Sequence, residues 1–146
     1  MAITTNAICN SFKKELLEGK HDFTQTSGDQ FKLALYNDSA VLGKSTTSFT
    51  TDNQVNASGQ YTSGGGKLAK SGQNTSVASS VAIVDFPNRS FTGVTLTAKG
   101  ALIYNTSNSN SAVCVLDFGG NKTATAGTFT IQFPAFTTSA AILRLT

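Results

Sequence analysis

The chain has 146 residues, of which 39% are hydrophobic and 13% charged, with a formal net charge of +3. That length suits one domain with its own core, and hydrophobic content this high with so little net charge excludes a disordered chain. No apolar run approaches the roughly 18 residues of a membrane span, and the 11 basic residues are scattered among 8 acidic ones, which argues against a phosphate-binding face.

The first segment, residues 1–28, reads as a helix and its linker. Asn6 is placed to cap a helix, and Ile8, Phe12 and Leu16 recur every four residues, with Cys9 and Leu17 widening the apolar stripe. Lys13 and Lys14 sit toward the negative end, and Gly19 supplies a left-handed stop. A single amphipathic helix from about Asn6 to Glu18 is expected. Its face must bury against the chain's own sheet or against another molecule. Phe12, Leu16 and Leu17 are the candidate protein-interface residues.

From residue 29 to 146 the period changes to two. Phe31, Leu33 and Leu35 alternate with Lys32, Ala34 and Tyr36 before a turn at Asn37-Asp38. Residues 45–75 are rich in Thr, Ser and Gly, and read as a long loop or a pair of polar edge strands. Ser76–Phe86 is expected as one strand ending at Pro87-Asn88. Phe91–Leu102 is another, in which Gly93 and Gly100 mark bulges or close approach. Ala112–Phe118, Thr128–Phe133 and Ala140–Leu145 complete the set, and the loop Asn105–Ser111 reads as an exposed tip. The expected fold is mainly β, an antiparallel sandwich or barrel-like domain with one N-terminal amphipathic helix.

Residues able to carry chemistry are few. His21 is the only histidine and falls in a charged stretch after the helix, so it reads as a solvated linker residue. One histidine and two distant cysteines do not make a zinc ligand set; Asp and carbonyl oxygens would suffice for calcium, but no Asp-rich loop has the EF-hand spacing. Cys9 and Cys114 each sit among apolar neighbours and read as small buried hydrophobes in a reducing cytoplasm. Asp85 and Asp117 each precede a Phe at a strand end. They form a conceivable acid/base pair, but the simpler account has each carboxylate accepting backbone N–H groups. Asp117-Phe118-Gly119 spells a kinase metal-binding triplet without its companion motifs. Gly64-Gly65-Gly66-Lys67 resembles a phosphate loop but continues with Leu68 rather than Ser or Thr. No catalytic residue, metal or cofactor is expected, and the reading is not that of an enzyme.

Several segments resemble a group of small bacteriophage virion proteins. They are Phe31-Lys32-Leu33-Ala34-Leu35-Tyr36, Leu42-Gly43-Lys44-Ser45-Thr46-Thr47 and Tyr61-Thr62-Ser63-Gly64-Gly65, together with Gly100-Ala101-Leu102-Ile103-Tyr104-Asn105, Val115-Leu116-Asp117-Phe118-Gly119-Gly120 and Gly127-Thr128-Phe129-Thr130-Ile131. The resemblance runs from about residue 30 to the end and brings no functional residues with it. It implies a particle component made in the host cytoplasm and assembled on the virion. The expected role is a capsid decoration, or cement, protein. Its expected partners are the major capsid protein and copies of itself, for instance in a trimer, with neither nucleic acid nor membrane. The alternatives are a tail-associated protein (tube, adaptor or fibre base) and a host-surface or glycan-binding module. The absence of Trp and the presence of only three Tyr weigh against the last.

Overall fold

A computed structural model describes residues 3–72 and 74–146. It is mainly β, with two antiparallel sheets and one short helix near the N-terminus. Eight strands occur among the described residues: β1 (Ala7–Ile8), β2 (Phe31–Tyr36), β3 (Gly66–Lys67), β4 (Asn74–Ala78), β5 (Val81–Asp85), β6 (Arg89–Asn105), β7 (Ser111–Ile131) and β8 (Leu143–Leu145). One sheet runs β1-β7-β6-β2-β3 and the other β4-β5-β8.

The N-terminal expectation is shortened by competition for the chain. Helix α1 spans Asn10–Leu17 rather than starting at Asn6. Ala7 and Ile8 instead pair with Val115 and Cys114, and the Asn6 side chain accepts the Asp117 N–H at 2.7 Å. Asn6 therefore serves a sheet edge instead of capping the helix, and Cys9 takes the cap position with no side-chain capping bond, its thiol donating instead to the Gly43 carbonyl. Gly19 does adopt positive φ, at 72°, just past the helix.

Several strand boundaries also differ from expectation: the strand expected at Phe91–Leu102 runs Arg89–Asn105, and of Ala140–Leu145 only Leu143–Leu145 is strand. Ser76–Phe86 is not one strand but a tight hairpin of β4 and β5, because Ser79 and Ser80 both take positive φ (49° and 64°) and turn the chain between Ala78 and Val81. Conversely, Ala112–Phe118 and Thr128–Phe133 are joined, through residues 119–127, into the 21-residue β7. Its partner along nearly the whole length is the 17-residue β6. The bulges expected at glycine are present: register shifts fall between Phe91 and Val94 and between Ala98 and Gly100. At Gly100 a side chain would meet the Leu116 carbonyl oxygen at 2.4 Å, so only glycine fits.

The core lies between the bent β6–β7 hairpin, β2, the N-terminal segment and the second sheet. A chain of aromatic contacts threads it. Phe12 meets Phe23 (6.0 Å), Phe23 stacks on Phe31 (4.6 Å), and Phe31 touches Phe86 (5.7 Å), which touches Phe133 (5.8 Å). Helix, β2 and the segments following β5 and β7 thus share one apolar interior. The polar stretch 45–75 is tied to it by Val55, Tyr61 and Leu68, all buried. The Tyr61 hydroxyl accepts the Leu35 N–H at 2.8 Å and the Gln54 side-chain amide at 3.0 Å.

Candidate functional site: a groove beside an open strand edge

β7 does not run straight. Between Asp117, opposite Gly100, and Lys122, opposite Ala98, it carries more residues than β6. The surplus, Phe118-Gly119-Gly120-Asn121, bulges out, with Gly119 at φ 80° and the Asp117 carboxylate accepting the Gly119 N–H at 2.9 Å. As a result Phe118 and Phe129, which eleven residues of straight strand would hold about 36 Å apart, bring their rings to 6.0 Å. The triplet that spelled a kinase motif is the hinge of this bend.

The bend encloses a groove of about 900 Å³ between β7, β1 and the segment from Gln132 to Arg144. Its apolar lining includes Phe118, Phe129, Phe133 and Ile142, and Lys122 and Arg144 add two cations. The one carboxylate in the lining, Asp117, is held by the Lys99 ammonium and by the Gly119 N–H, which lower its pKa.

The two long strands treat their free edges differently beyond the shared sheet. The edge of β6 is covered by residues 58–60: Gln60 donates its N–H to the Thr92 carbonyl (3.1 Å) and accepts the Thr92 N–H on its side chain (3.0 Å), while Ser58 accepts the Thr95 N–H (2.9 Å). On β7, β1 reaches only Cys114 and Val115. From Phe118 to Ile131 no other strand among the described residues pairs with its outer edge. Such an edge is a template for another chain.

The three candidate interface residues separate. Phe12 is 3% exposed and packs on His21 and Phe23, so it belongs to the chain's own core. Leu16 is half-buried against the same core. Leu17 is 91% exposed and is the one that faces outward.

His21 corrects the expectation of a solvated linker. Its side chain is fully buried, with Nε2 2.7 Å from Glu15 Oε2 and Nδ1 3.0 Å from the Asn105 amide nitrogen. Asn105 Oδ1 accepts the Ser107 N–H (2.9 Å), which turns its amide nitrogen toward His21 Nδ1 and Asp29 Oδ2 (2.6 Å). Nδ1 is therefore the acceptor and Nε2 carries the hydrogen toward Glu15. This network ties α1 to the base of the β6–β7 turn, and leaves Asn105 at 0% exposure although Ser107, Ser109 and Asn110 beyond it are exposed as expected of a tip.

The two aspartates stay apart. Asp85 ends β5 in the three-stranded sheet, and Asp117 lies in the other sheet. Asp85 is 4% exposed; its Oδ1 accepts the Phe86 N–H at 2.9 Å, and Oδ2 has no partner among the described residues. Burial raises its pKa against the opposing effect of that hydrogen bond. Cys9 and Cys114 are buried free thiols. Burial pushes Cys9 up to about 11 and Cys114 higher, so both stay protonated near neutrality. Gly65, from the phosphate-loop look-alike, lies with φ 78° where a side chain would come within 1.9 Å of the Leu33 carbonyl oxygen. It lets β3 close on β2.

Sequence reading missed the groove because its lining comes from segments that look like separate strands. The run of polar and small residues between Phe118 and Phe129 was the available signal, since it fits neither a buried strand nor a short turn. No group of three or more His, Cys, Asp or Glu among the described residues is placed to hold a metal ion, and no helix there is long and apolar enough to cross a membrane. Compared with known family models, with curated proteins and with solved structures, the chain matches none of them.

Proposed function

We propose that this protein is a structural component of a bacteriophage particle, acting as a capsid decoration, or cement, protein that bridges neighbouring major capsid subunits. The observation that carries the reading is the resemblance of β2 and the β6–β7 hairpin segments to small phage virion proteins. The surface chemistry is compatible with it. Cross-strand hydroxyl pairs, Ser90 with Thr130 and Thr97 with Thr123 (both 2.8 Å), cover one face of the hairpin. Such a face makes short-range hydrogen bonds with little long-range steering. Many copies on one shell act together, so each contact need be no larger than about 1,000 Å². Leu17 and the open edge of β7 are the surfaces that would meet the major capsid protein.

The open edge also favours a second reading, a tail-associated ring, because tail tubes close by pairing strands between subunits. Quantitative mass spectrometry of purified particles separates the two. About one copy per major capsid subunit, or about one per three, is the expected result for a cement protein. A few dozen copies moves the protein to the tail, and absence from the particle overturns both.

A further inference from the structure

We propose that the groove takes an extended, acidic segment of a partner protein, which adds as a new strand to the free edge of β7. This names the surface and the chemistry of its occupant. It rests on the edge, the bend and two cations, and not on where the protein sits in a particle.

Three observations converge. From Lys122 to Ile131, with interruptions at its bulges, β7 pairs with β6 on one side and with no described strand on the other. Its outward N–H and C=O groups are therefore available for main-chain pairing. The bend then sets Phe118, Phe129, Phe133 and Ile142 around the same groove. An added strand points alternate side chains to opposite faces, so every second residue of the occupant would meet this apolar lining. Finally, Lys122 and Arg144 line the groove without an ion pair among the described residues. Arg144 donates one hydrogen bond, to the Ser139 carbonyl at 2.9 Å. The groove's own carboxylate, Asp117, is already engaged by Lys99.

Charge selects the occupant. A second copy docked edge to edge about a two-fold axis presents the same patch to itself, which sets Lys122 and Arg144 against their own counterparts on a chain of net charge +3. Three of a second copy's carboxylates are already engaged, Glu15 by His21, Glu18 by Lys14 and Lys20, and Asp117 by Lys99. An extended segment alternating apolar residues with Glu or Asp matches lining and charge together.

The test uses the full chain and two synthetic dodecapeptides, one alternating valine with glutamate and threonine, the other with lysine in place of glutamate. Binding is read by fluorescence anisotropy, and the site by NMR hydrogen exchange. The acidic peptide is expected to bind, to slow exchange at amides between Phe118 and Ile131, and to weaken as salt is raised. The lysine peptide is expected not to bind. Lys122→Glu with Arg144→Glu should weaken the acidic peptide about tenfold or more with an unchanged urea midpoint, since both side chains are exposed. Should the double variant unfold, Lys122→Glu alone carries the same test. Equal binding of the two peptides, or unchanged exchange along β7, overturns the proposal. So does concentration-dependent protection of the same amides without peptide, which would assign the edge to a second copy. Absence of the protein from virions would overturn the decoration reading and leave this result standing.

Discussion

At the scale of single residues, the least compensated group is Asp85. A buried carboxylate with one oxygen unpartnered prefers to be neutral, and its pKa is raised accordingly. A folded-state pKa above the unfolded one stabilises the protein fully below the unfolded value, near 4, and that stabilisation is lost as pH rises through the folded value. Between those two values the loss approaches about 1.4 kcal/mol per pH unit. Glu18, Asp22 and Asp117 act in the opposite sense at lower pH, because their hydrogen-bonded carboxylates have lowered pKa values. The diagnostic is therefore a difference: urea unfolding free energies of wild type and Asp85→Asn, compared from pH 4 to 8, should converge toward acid and diverge in favour of the variant as Asp85 ionises. A constant difference would mean that folding leaves the Asp85 pKa unchanged. His21 and Asn105 show the opposite case, buried polar groups in which every side-chain nitrogen and oxygen has a hydrogen-bond partner.

At the scale of elements, the helix and the glycine turns each allow a paired comparison. Phe12 faces inward and Leu17 outward, only five positions apart. Phe12→Ala should cost about 3–5 kcal/mol in urea unfolding through loss of packing on Phe23 and His21. Leu17→Lys should change stability by less than about 0.5 kcal/mol, yet lower retention on particles if the exposed leucine touches the shell. Gly65 and Gly119 share a positive φ, but only Gly65 is hemmed in by backbone, at Leu33. Gly119→Ala should cost about 1–2 kcal/mol from conformation alone. Gly65→Ala adds a steric clash and should cost more, with loss of hydrogen-exchange protection at the β2–β3 pairing. Equal costs would place the Gly65 effect in conformation and not in contact.

At the scale of the whole molecule, one long hairpin organises everything else. β6 and β7 contribute to the core with β2 on one stretch and bend away on the other, and the second sheet closes over them through Phe86 and Phe133. The bend makes the groove, and the groove leaves one strand edge without a neighbour. Edge, lining and charge are properties of this arrangement and of no single segment.

What the sequence determined by itself is what local periodicity and turn chemistry carry. The β class follows from period-two alternation, as at Phe31–Tyr36, where the strand has the expected bounds although Ala34 and Tyr36 are buried with Leu33 and Leu35. The helix stop at Gly19 and the bulge near Gly93 follow from backbone freedom that only glycine supplies, and the irregularity at Gly100 from the close approach of the Leu116 carbonyl. Tertiary structure decided the remainder. His21 reads as solvated from its charged neighbours, but Glu15 and Asn105, the latter 84 residues away, supply the partners that let it be buried. Residues 119–127 carry no alternation because few of them face the core, so only pairing with β6 makes them strand. Asn6 can cap a helix or hold a sheet edge, and the nearby Asp117 N–H decides between them. In each case the deciding partner lies far along the chain, and local sequence has no means of announcing a contact that forms only when distant segments are brought together.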